Sequence, residues 1–342
     1  MGNSLKHLKQ QLPLLAPKPL IIPPIFSVEP ENENLRVFRN ENLRVFRFAD
    51  LKKATKKFRQ DRVVECEDGS VRKFYKGYID ETTFAPSRNG TGVAVSVMEC
   101  DSSRSLQDWM AVVRSLGQMS HQNLVNFLGY CSEDNKPLFL VFEYSHRGSL
   151  DSYIFGKEEE EALPWEIRVK IAIGTAQGLA FLHSIKNSPL HRELRMHNIM
   201  LDEVQYNAKL FYLESTTRSL VDEGLIAGRF RYLAPEYGTF GLLDMKTDVC
   251  VFGMILLELL MGSKDRKKIK NKEGVEFWTT SLLPNDYKIE EIIDPRLGND
   301  YSAKAATQMG TLINQCTAHD TKKRPLMQQV LDGLNYIAEI KD

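Results

Sequence analysis

The pattern of apolar positions divides the chain into an early strand-rich part and a later helical part. Valines at alternate positions over residues 93–97 have the period of a strand, whereas the apolar residues of 106–116 recur at helical spacing. Residues 137–143 form a short apolar run, which is typical of a buried strand. From Pro164 onward the pattern is mostly helical, and residues 251–261 are apolar nearly all round. The pattern therefore predicts an α+β protein.

The first 47 residues differ from the rest of the chain. Six prolines between positions 13 and 30 prevent a regular helix. The octapeptide Asn-Glu-Asn-Leu-Arg-Val-Phe-Arg occupies residues 32–39 and is repeated without change at 40–47. Two copies cannot form a solenoid, so we interpret them as a slippage duplication in a tolerant tail, with a duplicated binding motif as the alternative. We expect a disordered tail over 1–47 and one domain over 48–340.

Composition and charge narrow the class of protein. The 342 residues contain 45 Lys and Arg and 45 Asp and Glu, so the formal net charge is zero, which argues against a protein that follows nucleic-acid phosphates. The five cysteines are widely spaced and form no C-x-x-C pair, which favours a reducing compartment over a disulfide or zinc framework. Neither a membrane-spanning run nor a signal peptide is visible, so we expect a soluble cytoplasmic protein.

Four local strings in the helical part resemble those of protein kinases. Residues 191–198, His-Arg-Glu-Leu-Arg-Met-His-Asn, resemble the catalytic loop H-R-D-L-x-x-x-N, and 234–236 read Ala-Pro-Glu. Asp248 matches the aspartate of the following kinase helix, and the late Lys-Arg-Pro at 323–325 resembles the family's arginine site. The resemblance covers about 48–338. It implies a two-lobed protein-kinase fold, with a small β-rich N-lobe containing one helix over about 60–145 and a larger α-helical C-lobe over about 146–340.

Further strings narrow the resemblance to plant receptor-like cytoplasmic kinases of subfamily VII. They lie at residues 48–55, 79–83, 148–150, 234–237 and 294–297. The alternative is a resemblance to a more distant kinase of the same superfamily. The signalling pathway would then be a different one, but the expected fold would be the same. The resemblance implies serine/threonine kinases that act beneath receptors of immunity and development. It therefore implies partners such as receptor kinases, related cytoplasmic kinases and immune receptors, and no nucleic acid.

The N-lobe positions that would bind phosphate are changed. The segment that matches the glycine-rich loop has only Gly69 and carries Glu65 and Glu67, which repel phosphate. Ser96 stands in Val-Ala-Val-Ser where kinases have the lysine of V-A-I-K, and Val112 stands at its glutamate partner. Since both charges are replaced by neutral groups, we expect an apolar contact that holds this helix in one position.

The catalytic loop is changed as well. Glu193 replaces the catalytic aspartate, and its extra methylene displaces the carboxylate by about 1 Å, which can cost about 100-fold in rate. Arg195 replaces the usual lysine, while Asn198 is retained and is a magnesium ligand in the family. Tyr212 stands at the aspartate of D-F-G, and a neutral phenol is a poor ligand for magnesium.

The resemblance assigns the remaining candidate residues by position. It implies that the nucleotide-site positions, here impaired, are Gly69, Ala94, Ser96, Phe142, Glu143, Tyr144, Met200 and Tyr212. The residues that hold the helical lobe together in the family match His191, Arg192, Glu236, Asp248 and Arg324. We expect no cofactor and no metal site, with ATP and magnesium relevant only if weak activity remains.

These changes predict a pseudokinase that acts as a protein-binding adaptor, a competitor of active relatives or a decoy in receptor signalling, including plant defence. One alternative is a weakly active serine/threonine kinase that uses Glu193 as its base, and another is a degenerating duplicate without a selected function. Met-Gly-Asn-Ser at the N-terminus resembles a myristoylation site on Gly2, although Lys6 departs from the expected Ser or Thr. A single acyl chain would give reversible contact with the inner face of the plasma membrane.

Overall fold

The computed structural model describes residues 43–65, 71–87, 92–100, 105–155, 162–185, 194–202, 205–212, 234–236, 244–262 and 288–341. The chain divides into two units, residues 1–36 and 37–342, and every described residue belongs to the second unit. Several residues named above lie outside the described ranges: Gly2, Gly69, His191, Arg192, Glu193 and the first copy of the octapeptide.

A six-stranded sheet forms the N-lobe, as the alternating apolar positions predict. Its strands are β1 (Arg44–Val45), β2 (Gln60–Glu65), β3 (Val71–Ile79), β4 (Val93–Glu99), β5 (Phe127–Cys131) and β6 (Phe139–Glu143). Their order across the sheet is β1-β5-β6-β4-β3-β2, and all pairs are antiparallel except β1 with β5, which is parallel.

The two faces of this sheet belong to two separate apolar clusters. Phe74, Met98 and Phe142 lie on the face that joins the main core of the protein. Tyr75 and Val97, one position away on the same strands, lie in the second cluster on the opposite face. This division follows from the alternation of side chains along a strand.

Two helices complete the N-lobe. Helix α1 (Phe48–Ala54) buries Leu51 against the second cluster, and α2 (Leu106–Gly117) begins at Ser105, whose side chain accepts a hydrogen bond from the Asp108 amide at 3.1 Å. Hydrogen bonding of this kind satisfies an amide that the first helical turn leaves without a backbone partner.

The structure places the start of the folded domain before the boundary that our sequence analysis gave. Strand β1 lies within the segment assigned to the tail, and Phe46 is buried in the second cluster. Helix α1 also belongs to the N-lobe, because Leu51 is completely buried. A two-residue strand and a seven-residue helix are too short to show a clear period in sequence, which is why the prediction missed them.

The C-lobe is mainly helical, as predicted. Its helices are α3 (Leu150–Ile154), α4 (Trp165–Ser184), α5 (Met245–Met261), α6 (Ile289–Ile292), α7 (Ala303–Cys316) and α8 (Met327–Glu339). A two-stranded sheet, β7 (Ile199–Leu201) with β8 (Ala208–Leu210), follows α4 in this lobe. Helix α5 is buried nearly all round, and the Asp244 side chain caps it by accepting from the Thr247 amide at 3.0 Å.

A buried ion pair joins distant parts of the C-lobe. The Arg168 guanidinium on α4 donates to the Asp294 carboxylate at 2.5 Å, and both side chains are only 2% exposed. Arg168 also donates to the carbonyl oxygens of Leu163 and Leu259, so its buried charge has several partners. Within the described ranges, no helix is both long enough and apolar enough to cross a membrane.

Candidate functional site

The two lobes enclose a cleft where the resemblance places the nucleotide site. It contains a cavity of about 230 Å³, smaller than ligand-binding pockets usually are, which run from about 300 to 1,000 Å³. The structure brings five of the sequence-predicted positions together in its lining: Ser96, Phe142, Glu143, Tyr144 and Met200.

Ala94 and Tyr212, two other predicted positions, are buried but do not line this cavity. Tyr212 belongs to the main apolar cluster and is 4% exposed. The phenol therefore takes part in the packing of the core at the position where kinases hold a charged magnesium ligand.

Ser96 lies in the middle of the sheet, directly opposite Lys76 on β3 and Phe142 on β6. The Lys76 ammonium lies 4.1 Å from the ring centre of Tyr144, which lines the same cavity as Ser96. Ser96 itself offers only a neutral hydroxyl, which brings no positive charge to a phosphate.

An aromatic cluster occupies the inner part of the cleft. The Phe211 ring packs edge-on against Phe74 and Phe142, with ring centres 5.5 Å and 4.9 Å apart. Phe127 extends the cluster behind Phe142, at 5.2 Å. Contacts of this kind are favourable beyond the area they bury, so the aromatic cluster of these four rings is a stable feature of the fold.

Arg62 on β2 covers this aromatic cluster. Its guanidinium carbon lies 4.4 Å from the ring centre of Phe74, and its nitrogen lies 3.4 Å from the Met200 sulfur. Burial lowers the pKa of Arg62, and the nearby Asp61 partly opposes this effect.

Sequence reasoning missed Arg62, Phe74 and Phe211 as site residues. The alternation within β3 was a usable signal for Phe74, since it places this ring on the same face as Lys76.

Glu143 is held by fixed partners at the junction of the lobes. Its carboxylate accepts from the Lys209 ammonium at 2.7 Å and 2.8 Å and from the Asn126 amide at 2.8 Å. Because Lys209 comes from β8 of the C-lobe, this ion pair connects the two lobes beside the cleft.

Helix α2 presents an apolar face where kinases have a glutamate. Val112 is 3% exposed, and it lies with Trp109, Val113 and Leu116 in the main apolar cluster, which also contains Phe142. The position of Val112 is therefore part of a continuous core, and an isolated carboxylate placed there would lose its hydration.

The described part of the catalytic loop forms a 3-10 turn over Met196–Asn198. Asn198 is 4% exposed, and its carbonyl oxygen accepts from the Phe211 amide at 2.7 Å. Burial, followed by the positive charge of Arg195, lowers the pKa of His197 to about 4. His197 is consequently neutral near pH 7.

Two polar pairs connect the segments of the C-lobe. Arg324 donates to both oxygens of Glu236 at 2.7 Å and 2.8 Å, and its side chain is fully buried. The side chains of His183 and Asp248 lie 2.9 Å apart, in contact between α4 and α5. Burial raises the pKa of Glu236, but the hydrogen bonds from Arg324 outweigh it, so the pKa lies below its ordinary value.

The described residues of the cleft do not fit ATP with magnesium. Aromatic rings of the cluster line the cavity, the strand lysine is a serine, and the magnesium-binding aspartate is a buried tyrosine. In the ranges that the structure describes, no group of three or more His, Cys, Asp and Glu side chains is arranged to hold a metal ion.

Comparison with known proteins gives the family that the sequence strings resemble, the protein kinases. Residues 64–334 match the family of protein tyrosine and serine/threonine kinases. The chain is 81% identical to inactive serine/threonine-protein kinase BKN1 and 59% identical to inactive serine/threonine-protein kinase BKN2, both from Arabidopsis thaliana and both matched over the full length of each chain.

A more distant relative and a solved structure extend this comparison. Receptor-like cytoplasmic kinase 176 of Oryza sativa subsp. japonica is 36% identical, with 86% of this chain and 76% of the relative covered. The solved structure of a pseudokinase named drought responsive inactive kinase 1 has the same fold, with a TM-score of 0.63 and 24% identity over 88% of this chain and 99% of the other. The chain therefore belongs to the protein kinase family, among its receptor-like cytoplasmic kinases.

Proposed function

We propose that this pseudokinase acts by binding other proteins in receptor signalling, as an adaptor, a competitor of active relatives or a decoy. One observation carries the proposal: the aromatic cluster of Phe74, Phe127, Phe142 and Phe211, covered by Arg62, lies where a kinase holds its nucleotide. The fold is retained around a cleft whose remaining cavity, about 230 Å³, is small for a nucleotide and is lined in part by Phe142 and Phe211 of this cluster.

Charge arguments support the same proposal. Phosphoryl transfer depends on positioning and on neutralising the charge of the phosphates, for which a kinase uses a lysine, two magnesium ions and their ligands. Ser96, Val112 and Tyr212 are neutral at three of these positions. The relatives at 81% and 59% identity are both named inactive kinases, which supports the pseudokinase over a weakly active enzyme with Glu193 as base.

The same packing suits a binding protein with a constant surface. In the N-lobe, Val112 fixes α2 by apolar contact, where an active kinase has a breakable ion pair. We propose partners among receptor kinases, related cytoplasmic kinases and immune receptors, in the cytoplasm and, if Gly2 is acylated, at the inner face of the plasma membrane.

A thermal-shift titration tests the nucleotide part of the proposal. A ligand that binds the folded state raises the unfolding midpoint once its concentration passes its dissociation constant. We expect no shift with ATP and magnesium up to millimolar concentration. A magnesium-dependent rise at sub-millimolar ATP would show that the cleft still binds nucleotide.

A phosphotransfer assay separates the pseudokinase from the weakly active kinase. We expect purified protein to incorporate no radiolabelled phosphate above the level of the Glu193→Ala variant. Incorporation by the wild type that Glu193→Ala abolishes would establish an active enzyme.

Co-purification from plant tissue tests the protein-binding part of the proposal. Proteins that co-purify with the tagged chain, and do not co-purify with a Val112→Glu variant, would identify the partner.

A further inference from the structure

Two glycines form the floor of a shallow groove at the edge of the N-lobe. Gly117 ends α2, and Gly129 lies in β5. A Cβ atom on Gly129 would lie 2.0 Å from the Arg44 carbonyl oxygen, and one on Gly117 would lie 2.2 Å from the Leu43 Cδ1 atom. The contact at Gly129 is with backbone, so the groove can take the segment there only because this position lacks a side chain, whereas at Gly117 a side chain would displace the tip of Leu43.

The bound segment is held by backbone pairing along the groove. Arg44 and Val45 lie opposite Gly129 and Tyr130 in a parallel pair, and the Phe46 amide donates to the Tyr130 carbonyl oxygen at 2.7 Å. Strand addition of this kind supplies main-chain hydrogen bonds that do not depend on sequence, and side-chain contacts then supply the specificity.

Three side chains of the segment are recognised. Leu43 packs on the main core, Phe46 is 6% exposed in the second cluster, and Val45, which points outward, is 67% exposed. The Arg44 guanidinium carbon lies 4.5 Å from the ring centre of Phe84. The groove thus selects the pattern Leu-Arg-x-Phe, and the Arg47 that follows is exposed and pairs locally with Asp50 at 2.8 Å.

The chain contains this pattern twice. Residues 43–47 are the end of the second octapeptide, and residues 35–39 are the identical end of the first. We propose that the groove is a recognition site for a Leu-Arg-x-Phe segment and that the first octapeptide is a second ligand for it, able to replace the second octapeptide in the same chain. This proposal is independent of the proposed function.

Exchange between the copies would place the same residue at every position of the groove. The two octapeptides are identical, so residues 35–39 offer the same side chains in the same order as residues 43–47. The two arrangements differ in a loop of eight residues, which the shifted arrangement must close at an entropic cost. This cost favours the second copy, which is the one that the structure holds.

Substitutions in two versions of the chain test the proposal. The first version is the full chain, and the second lacks residues 32–39 and so carries one octapeptide. Phe46→Ala should lower the unfolding midpoint of the single-repeat chain by about 5 °C or more, as expected for loss of a buried ring. In the full chain the same substitution should cost less than half of this shift, because Phe38 replaces Phe46.

Two controls complete the set of variants. Phe38→Ala alone should leave the midpoint of the full chain unchanged, and Phe38→Ala with Phe46→Ala should restore the whole loss. Hydrogen exchange should show protection at residues 43–47 in the wild type and at 35–39 in the full-length Phe46→Ala chain. Equal loss from Phe46→Ala with and without the first octapeptide would overturn the proposal.

A milder substitution keeps the test valid if Phe46→Ala prevents folding of the single-repeat chain. Arg44→Ala removes the contact with Phe84 without opening the core, and Arg36→Ala is its counterpart in the first octapeptide. Arg44→Ala should again cost less in the full chain than in the single-repeat chain, with smaller shifts of the unfolding midpoint than for Phe46→Ala. Rescue that grows with protein concentration and is accompanied by a dimer in sedimentation would place the ligand on another copy of the chain and would also overturn the proposal.

Discussion

Arg62 and Phe74 face each other directly across strands β2 and β3, and the guanidinium of Arg62 lies 4.4 Å from the centre of the Phe74 ring. The pair lies beside the cleft between the lobes, with Met200 of the C-lobe in contact with Arg62, and both Arg62 and Met200 line the cavity. A cation and an aromatic ring from two neighbouring strands thus narrow the site that a kinase keeps open for nucleotide.

Removal of the Arg62 side chain and removal of the Phe74 ring should lower the stability of the protein by different amounts. Arg62→Ala should lower the free energy of unfolding by about 1 kcal/mol, the usual size of a partly buried cation–π contact. Phe74→Ala should lower it by about 3–5 kcal/mol, because it leaves a cavity in the core. Urea unfolding measures both values, and Arg59→Ala, at an exposed position nearby, is the matched control.

Neither variant should gain binding of ATP with magnesium, since Ser96 and Tyr212 remain. A magnesium-dependent stabilisation of Arg62→Ala by ATP would mean that Arg62 alone blocks an otherwise competent site.

Restoring the charges of an active kinase in the N-lobe should destabilise it. Val112→Glu places a carboxylate in the core and should cost about 3 kcal/mol or more. Adding Ser96→Lys should recover part of this loss by supplying a partner. Ala111→Glu, at an exposed position on the same helix, should have little effect. These values come from denaturant unfolding.

Hydrogen exchange over residues 105–117 tests whether Val112 fixes α2. We expect faster exchange in the Val112→Glu, Ser96→Lys double variant than in the wild type. Equal exchange rates and equal affinity for a partner in both proteins would contradict a fixed helix.

The Glu236–Arg324 pair should make stability depend on acid pH. Burial raises the pKa of Glu236, but Arg324 outweighs it and holds the pKa below the ordinary value of 4.5. A lowered carboxyl pKa contributes stability that is present above pH 4.5 and is lost as the pH falls through the folded-state value. Glu236→Gln should remove this part of the acid dependence.

Arg324→Met should be the more damaging change at pH 7, by about 3–5 kcal/mol, because it leaves the Glu236 carboxylate without its cation. Chemical unfolding at pH 7 and at pH 4 measures both effects. A similar loss at the two pH values in Arg324→Met would show that packing of the arginine stem, and not its charge, is what stabilises the lobe.

His197 should affect stability at a higher pH than Glu236 does. Burial, followed by the charge of Arg195, lowers the pKa of His197 from 6.5 to about 4. Its neutral form therefore contributes stability that is complete above pH 6.5 and is lost as the pH falls from 6.5 to about 4. His197→Gln should flatten the stability profile over this window, as measured by urea midpoints. His319→Gln, at an exposed histidine, should leave the profile as it is in the wild type.

The sequence by itself determined the family, the two-lobed fold and the loss of phosphate-binding charges. These features could be predicted because each depends on a residue type at a fixed place in a local string. Ser96, Val112 and Tyr212 are neutral whatever surrounds them, and the periods of strand β4 and helix α2 are local properties of the chain.

Only the tertiary structure decided what fills the cleft and where the folded domain begins. Phe74 and Phe211 come from different lobes, and their contact depends on strand register and lobe packing that no local period encodes. Strand β1 likewise depends on Gly129, which leaves space for the backbone of Arg44. Contacts between distant segments are set by the complementarity of the folded surfaces, and this complementarity appears only once those surfaces are packed together.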